Sequence, residues 1–378
     1  MAGEPSGDQL GGELAEAVIR MRPDVRFFGA TGPALEAAGA ERVIATGELS
    51  VMGLTEVART LPAAWRAIGR LEREAADRRP AGAILIDAPD FNLRLARRLH
   101  SRGIRVVQYV SPTVWAWRPG RVDVIARTVR RLLVTLPFEL QTYEGTGVDT
   151  VYVGNPAVDR VAAAIPLPRE AVARELGVDP AAPWVALLPG SRRSEIERLG
   201  PRFAAAAATI LESVPAAEFF APVAPGLDPP EVARALSGGP PVRLAPAGRR
   251  NAALAHAAAA ITASGTASLE LALLGVPHVV AYRVSPLTWG IARLLVRTEH
   301  VALPNLILGR RVVPELLQGA ARPEALAAPI VTWLEDPQAR AAVQVDLAAV
   351  GRALGPPGVA RRAARAALEA LGLPPALA

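Results

Sequence analysis

The chain of 378 residues contains neither cysteine nor lysine. Without thiols there can be no disulfide framework, no thiolate nucleophile and no cysteine zinc site. Without an amine side chain there is no Schiff-base chemistry and no phosphate loop of the kind that ends on lysine. All 42 basic residues are therefore arginine. Histidine is scarce as well. His100, His256, His278 and His300 stand far apart with no i,i+4 pair, which argues against a dedicated metal site. No secretory leader follows Met1, so a cytoplasmic location is expected. Residues 252–269 carry no Asp, Glu or Arg over about a membrane's length. Gly265 and the many Ala, Ser and Thr in that stretch argue against a transmembrane span.

What is present is an apolar, moderately basic chain. Hydrophobic residues make up 51%, and 378 residues are long for one core, so two domains are expected. The formal charge of +6 suggests an acidic partner of some kind. The arginine pairs are dispersed, as at Arg97-Arg98, Arg192-Arg193, Arg249-Arg250 and Arg361-Arg362. With no basic tail and no nucleic-acid module, nucleic acid is not an expected partner.

Short apolar runs alternate with helical patterns. Strands are expected at 25–31, 82–87, 105–110, 132–136 and 151–153, and again at 184–188, 218–222, 242–244, 259–263 and 278–284. Between the two series, residues 156–183 turn to Ala and Pro and read as a linker with one helix. The tail, 337–373, is helical except at "GPPG", residues 355–358. The expected architecture is α/β, with two Rossmann-like, doubly wound parallel-sheet domains facing a cleft. Their spans are 1–165 and 166–344. The helical segment of about 345–378 should pack back on the first domain or on a partner chain.

Three stretches carry candidate chemistry. The run Ala83-Ile84-Leu85-Ile86 ends on Asp87, with Asp90 and Asn92 following, at the carboxyl end of a strand, where open α/β sheets place their chemistry. Asp90 equally suits the N-cap of the next helix. "WVALLPGSRRSEIERL" reads as strand, Gly190-Ser191-Arg192 loop, and helix from near Ser194 with Glu197 as capping partner. A guanidinium at that helix mouth suits a phosphate. "AAITASGTASLELALL" brings Ser264-Gly265-Thr266 to another helix start, with Glu270 one turn on, placed for a ribose diol.

Weaker signals remain open. "GEPSGD" sets Glu4, Ser6 and Gly7 at a loop opening a helix, with Ser6 or Asp8 as an alternative cap. Trp115 and Trp117, beside Arg118, suit either a pocket wall or core packing. Leu54, Val57, Leu61, Ile68 and Leu71 share a helical spacing, with Arg59, Arg66 and Arg70 on other faces. That pattern fits a membrane-facing or a core-facing helix, and Pro62 argues for a helix start there.

"AGEPSGD", "IDAPDFN", "SPTVWAWRPGR", "GSRRSEI", "SGTASLE", "VAYRVSPLT" and "LPNLILGRRVVPELLQ" run in order from Gly3 to about Gln318. Together they closely resemble the lipid-A-disaccharide synthase family, inverting glycosyltransferases of the GT-B fold. The resemblance implies a UDP-2,3-diacylglucosamine donor and a 2,3-diacylglucosamine 1-phosphate acceptor. They would join in a β-1,6 disaccharide with release of UDP, with no metal and no cofactor.

By the same resemblance Asp87 is the general base, with Asp90 and Asn92 supporting it. Gly190, Ser191, Arg192, Ser264, Gly265, Thr266, Glu270 and Asn305 fall on the donor side. Glu4, Ser6, Gly7, Trp115 and Trp117 fall on the acceptor side. Acylated substrates imply peripheral contact with the cytoplasmic face of the inner membrane, and a homodimer is compatible. Asn155 departs from the family's usual histidine, which puts one substrate contact in doubt. Competing readings are another GT-B enzyme of UDP-sugars, such as a polyprenyl-linked transferase or an epimerase, and a non-catalytic anion binder. Members of the family also carry a strand upstream of "AGEPSGD". A misplaced start, with roughly ten further residues before Met1 and a gap in the first sheet, is therefore expected.

Overall fold

The computed structural model describes residues 1–50, 57–164, 166–224, 226–246, 248–295 and 298–374. The chain divides into two compact units, Met1–Pro156 with Pro356–Ala378, and Ala157–Gly355. The divisions fall at 156/157 and 355/356, where the sequence reading set 165/166 and 344/345.

The first unit contains β1 (Phe28–Thr31), β2 (Glu41–Ala45), β3 (Ala83–Ile86), β4 (Val106–Tyr109), β5 (Arg131–Val134) and β6 (Thr150–Tyr152). All pairings are parallel, in a two-stranded sheet β1-β2 and a four-stranded sheet β3-β4-β5-β6. Among the described residues β1 and β3 do not pair with each other. Met1 and Ala2 lie between them: Ala2 N–H donates to Ala30 O (3.1 Å) and Ile86 N–H to Met1 O (3.0 Å).

Helices cover both faces of the larger sheet, and its strands are predominantly apolar on both. Helices Val57–Arg78, Pro89–Ser101 and Arg121–Thr128 pack on one face, and Pro5–Met21 and Val359–Leu371 on the other. Ile68 and Leu71 are buried in that core, which makes their helix face a core face. Leu54, and the side chains of Val57, Arg59 and Leu61, lie outside the described residues. The helix also starts five residues before Pro62, contrary to the expectation of a start there. The missing N–H of Pro62 removes one bond close to an end whose first N–H groups have no intrahelical partner anyway.

The second unit holds β7 (Trp184–Leu188), β8 (Glu218–Pro222), β9 (Val242–Ala245), β10 (Ala259–Ala263), β11 (His278–Tyr282) and β12 (Glu315–Leu317). They form one parallel sheet in the order β9-β8-β7-β10-β11-β12. This is the doubly wound order 3-2-1-4-5-6, and its direction reverses between β7 and β10. The presumed linker begins this unit with two helices, Pro156–Ala162 and Arg169–Leu176, and not one. The second has Pro168 at its N-cap and ends on Gly177 at φ +70°, a left-handed cap that glycine adopts without strain.

Candidate active site

β3 is a short apolar run, and the chain must turn immediately after Ile86 to enter helix Pro89–Ser101. It turns through two consecutive left-handed residues, Asp87 (φ +50°) and Ala88 (φ +41°). For residues with a β-carbon this costs about 1–2 kcal/mol each. Hydrogen bonds hold the strained turn. Asp87 N–H donates to Tyr109 O (2.9 Å). The Asn92 amide donates to the carbonyls of Ile86 (3.0 Å) and Asp87 (2.7 Å), and Gln108 adds a bond to Asp87 O at 3.3 Å. Asn92 and Gln108 are fully buried, and their amide oxygens have no partner. Both side chains therefore act here as donors.

The Asp87 carboxyl is half-buried, and burial pushes its pKa up against the pull of the Ala88 N–H. That is the direction a general base needs. Ala88, not Asp90, occupies the N-cap. Asp90 is exposed in the first helical turn, paired with Arg118 (3.0 Å) and Arg121.

The N-terminal motif abuts this turn. A β-carbon on Gly3 would come 2.7 Å from that of Ala88, and one on Gly7 would come 3.6 Å from Ile86 O. Glu4 is the exposed N-cap of helix Pro5–Met21, with no side-chain cap bond, and Ser6, the second helical residue, is exposed as well. Asp8 caps a different helix. It accepts from Gly32 (2.7 Å), Ala34 (2.8 Å) and Leu35 (3.3 Å) at the start of Pro33–Ala37.

The two tryptophans are engaged differently. Trp117 donates to Thr113 Oγ1 (2.9 Å) and lies under the Arg118 guanidinium, 4.2 Å from the ring centre. Trp115 packs edge-on to Phe138, and its buried indole nitrogen lies near Glu139 without a well-formed hydrogen bond.

Glu139, which the sequence reading passed over, is buried beyond the carboxyl end of β5. Burial raises its pKa to about 7, although it accepts from Leu136 (3.0 Å) and Thr135 (3.2 Å) N–H and lies near Trp115 and Ser111. Ser111 and Tyr143 hydroxyls join at 2.9 Å beside it. The available signal was a carboxylate inside the apolar run "VTLPFEL" just past a strand. Asn155 is buried and donates to Thr135 O (3.3 Å).

In the second unit both glycine loops leave the sheet at the topological switch, since Leu188 of β7 pairs with Thr262 of β10. Gly190 has φ +132°, and a β-carbon there would meet the Glu195 side chain at 2.5 Å. The capping carboxylate is Glu195, not Glu197. It accepts from Ser191 N–H (2.9 Å) and Arg192 N–H (3.3 Å) at the start of helix Arg193–Ser213. The Arg192 side chain remains 76% exposed, with Glu195 at 3.6 Å, and is free to reach a ligand.

On the other loop, Ser264 Oγ donates to Val301 O (3.0 Å). Gly265, at φ +154°, has open space where a β-carbon would point, and Thr266 begins helix Thr266–Leu273 in an exposed position. Glu270, on that helix, is buried against Arg250 and, at 3.5 Å, Arg160.

Asn305 is also fully buried, and its amide is consumed internally. It donates to Val313 O (2.9 Å) and Glu315 (2.6 Å) and accepts from Val312 (2.6 Å) and Val313 (2.9 Å) N–H. Glu315 in turn accepts from Val301 and Ala302 N–H. Asn305 thus braces, through Glu315 and Val301, the loop that Ser264 touches, and it offers no free group to a nucleotide. Among the described residues no three His, Asp or Glu side chains gather as a metal site, and no helix is long and apolar enough to cross a membrane.

A family model described as lipid-A-disaccharide synthetase matches residues 1–369. Lipid-A-disaccharide synthase of Anaeromyxobacter dehalogenans (strain 2CP-1) is 44% identical over 375 residues, covering 99% of this chain and 96% of the relative. That of Myxococcus xanthus is 43% identical, covering 98% and 96%. Among solved structures, the chain is similar to the UDP-GlcNAc 2-epimerase of Neisseria meningitidis bound to UDP-GlcNAc. The TM-score is 0.65 at 10% identity, over 96% of each chain. It is also similar to an S. aureus MnaA–UDP co-structure, with TM-score 0.62 at 11% identity over 99% and 96%. These two likenesses are of fold.

Proposed function

From the premise that the chain belongs to the lipid-A-disaccharide synthetase family, we propose how its residues divide the work of that reaction. The enzyme forms the lipid A disaccharide from a UDP-sugar donor, and an epimerase reading is not favoured, because the likeness to epimerases is one of fold alone. The donor is UDP-2,3-diacylglucosamine and the acceptor 2,3-diacylglucosamine 1-phosphate. The acceptor's 6-hydroxyl oxygen attacks the anomeric carbon as the bond to UDP breaks, with inversion.

Asp87 takes the hydroxyl proton. Desolvation raises its basicity, and the braced left-handed turn fixes its direction. The donor diphosphate is assigned to the loops Gly190–Arg192 and Ser264–Thr266. There an exposed guanidinium and the free N–H groups of a helix start offset the developing charge. Glu270 reads the ribose, and Asn305 positions the 301–302 backbone. Glu4, Ser6, Gly7 and Trp117 line the acceptor side, with Asp90, Asn92 and Trp115 supporting them. The observation that carries the donor assignment is the emergence of both glycine loops from adjacent strands at the switch point.

Asp87→Asn tests the base. Turnover should fall by about 10²–10⁴-fold with UDP affinity unchanged, and turnover within about threefold of the parent would remove Asp87 from the role. Because the base must be ionised, kcat/KM of the parent should fall on the acid side, with a midpoint above the ordinary carboxylate range. Contact with an anionic membrane surface is part of the same reading. It is supported by half-exposed Trp65 with the guanidinium groups of Arg94 and Arg98 over its ring. Co-sedimentation with anionic but not neutral vesicles tests it.

A further inference from the structure

The sequence reading singled out Glu270 but neither arginine that touches it. Arg250 stands at the start of helix Arg250–Ala255, and Arg160 lies on helix Pro156–Ala162, far apart in sequence from Glu270 and from each other. Arg250 Nη1 bonds Glu270 Oε2, and Arg160 Nη2 lies 3.5 Å from Oε1. Asn251 ties the two arginines together. It accepts from Arg250 at 3.5 Å and donates to the backbone carbonyl of Arg160, also at 3.5 Å. The adjacent Arg249 takes no part, being paired with Glu175 at 2.9 Å.

A carboxylate offers about four lone-pair directions. Arg250 uses one on Oε2, and Arg160 faces one on Oε1, which leaves one on each oxygen. Two acceptors about as far apart as the oxygens of a carboxylate match the two donors of a vicinal diol. An unbraced glutamate could meet the same diol only by ordering its side chain on binding, which weakens and blurs recognition. We propose that Arg250 and Arg160 are specificity-determining positioning residues, holding the Glu270 carboxylate so that the donor site accepts a ribonucleotide and rejects its 2′-deoxy counterpart. This rests on the assignment of Glu270 to the ribose. It adds that the discrimination is set by two arginines that need not touch the sugar.

Calorimetry of the full-length enzyme with UDP and with 2′-deoxy-UDP reads the effect as a ratio of affinities. The parent should prefer UDP by about tenfold to a hundredfold, the usual worth of a hydrogen bond to a charged group. Glu270→Gln should bring the ratio to within about threefold, and so should Arg250→Gln, chiefly by loss of UDP affinity. Arg160→Gln should lower it part of the way, because its contact is longer. Arg250→Lys should restore part of the ratio, since charge is kept and the planar fork is lost.

If Glu270→Gln leaves the ratio unchanged, the ribose assignment itself fails. If Glu270→Gln collapses the ratio but Arg250→Gln does not, the assignment stands and the positioning role is overturned. An equal loss of affinity for both nucleotides in Arg250→Gln also overturns it, because it marks a general anion contact. Should Arg250→Gln fail to fold, the same ratio in Arg160→Gln and Arg250→Lys decides. Parent-like ratios in both would overturn the proposal.

Discussion

Single side chains here do two kinds of work, and their surroundings separate them. Asp8 and Asp87 both sit in motifs with a family likeness, yet Asp8 spends its carboxylate on three backbone N–H groups, while the Asp87 carboxyl meets the adjacent Ala88 N–H and is the base we propose. Asp8→Ala should therefore cost about 2–3 kcal/mol of stability, seen as a lower denaturant midpoint, because it strands buried donors. Glu139 gives a pH signature. Its folded pKa of about 7 lies above the ordinary 4.5, so the folded state binds this proton more tightly than the unfolded state does. The stabilisation is complete below the unfolded pKa and is lost as pH rises through the folded one, a change of about 3 kcal/mol between pH 4 and 8. Glu139→Gln should flatten that slope in urea melts taken across the range, and an unchanged slope would contradict the assignment. The strand-end position of Asp87 was legible in sequence, because a carboxylate directly after an apolar run stands out. Arg250, Arg160 and Gln108 were not legible, because their importance lies in contacts with residues distant in the chain.

Elements were legible where burial was complete. The strands Trp184–Leu188, Glu218–Pro222 and Ala259–Ala263 appear with the limits read from sequence, the first as an apolar run between Pro183 and Pro189 and the last ending at Ser264-Gly265. The two strands that went unread, Glu41–Ala45 and Glu315–Leu317, are both edge strands, one carrying exposed Glu41 and Arg42 and the other only three residues long. Edges are kept short or charged to discourage further pairing, and that same property hides them from a search for hydrophobic runs. The two glycine loops make a contrasting pair of predictions. Gly190→Ala combines a disfavoured φ with a clash against Glu195, so it should lose about 1–3 kcal/mol of stability together with UDP affinity. Gly265→Ala meets no atom but inherits φ +154°, which a side chain rarely adopts, so it should lose about 1–2 kcal/mol from backbone strain alone, less than Gly190→Ala, together with UDP affinity. A thermal loss in Gly265→Ala as large as that in Gly190→Ala would contradict the added cost of the Glu195 clash, and unchanged UDP affinity in Gly265→Ala would contradict a role in ligand approach.

At the scale of the whole molecule the notable feature is that the first unit is discontinuous. Its sheet is assembled from residues before Pro156, but one covering helix, Val359–Leu371, comes from the far end of the chain. That helix buries Val359, Ala363, Ala364, Ala367, Leu368 and Leu371 against Ile86, Val107, Tyr109 and Leu133, the strand residues directly behind the Asp87 turn. Three arginines fasten it to the unit: Arg105 donates to Leu371 O (2.7 Å), Arg131 to Ala366 O (3.1 Å), and Arg362 to Val153 O (2.9 Å). Burying Val359, Leu368 and Leu371 alone is worth about 1.5–3 kcal/mol each. Their sum, about 4.5–9 kcal/mol, is comparable with the lower half of the 5–15 kcal/mol by which a domain is stable. A chain ending at Gly355 should keep an intact second unit yet fail to close the first. UDP binding by calorimetry should survive within a few-fold, whereas disaccharide formation should be lost and a hydrophobic dye should bind. Separate addition of a peptide spanning residues 356–378 should restore some activity, since the missing piece is a helix with its own apolar face. Full activity in the truncated chain would mean that the helix is dispensable and that the core behind Asp87 closes without it.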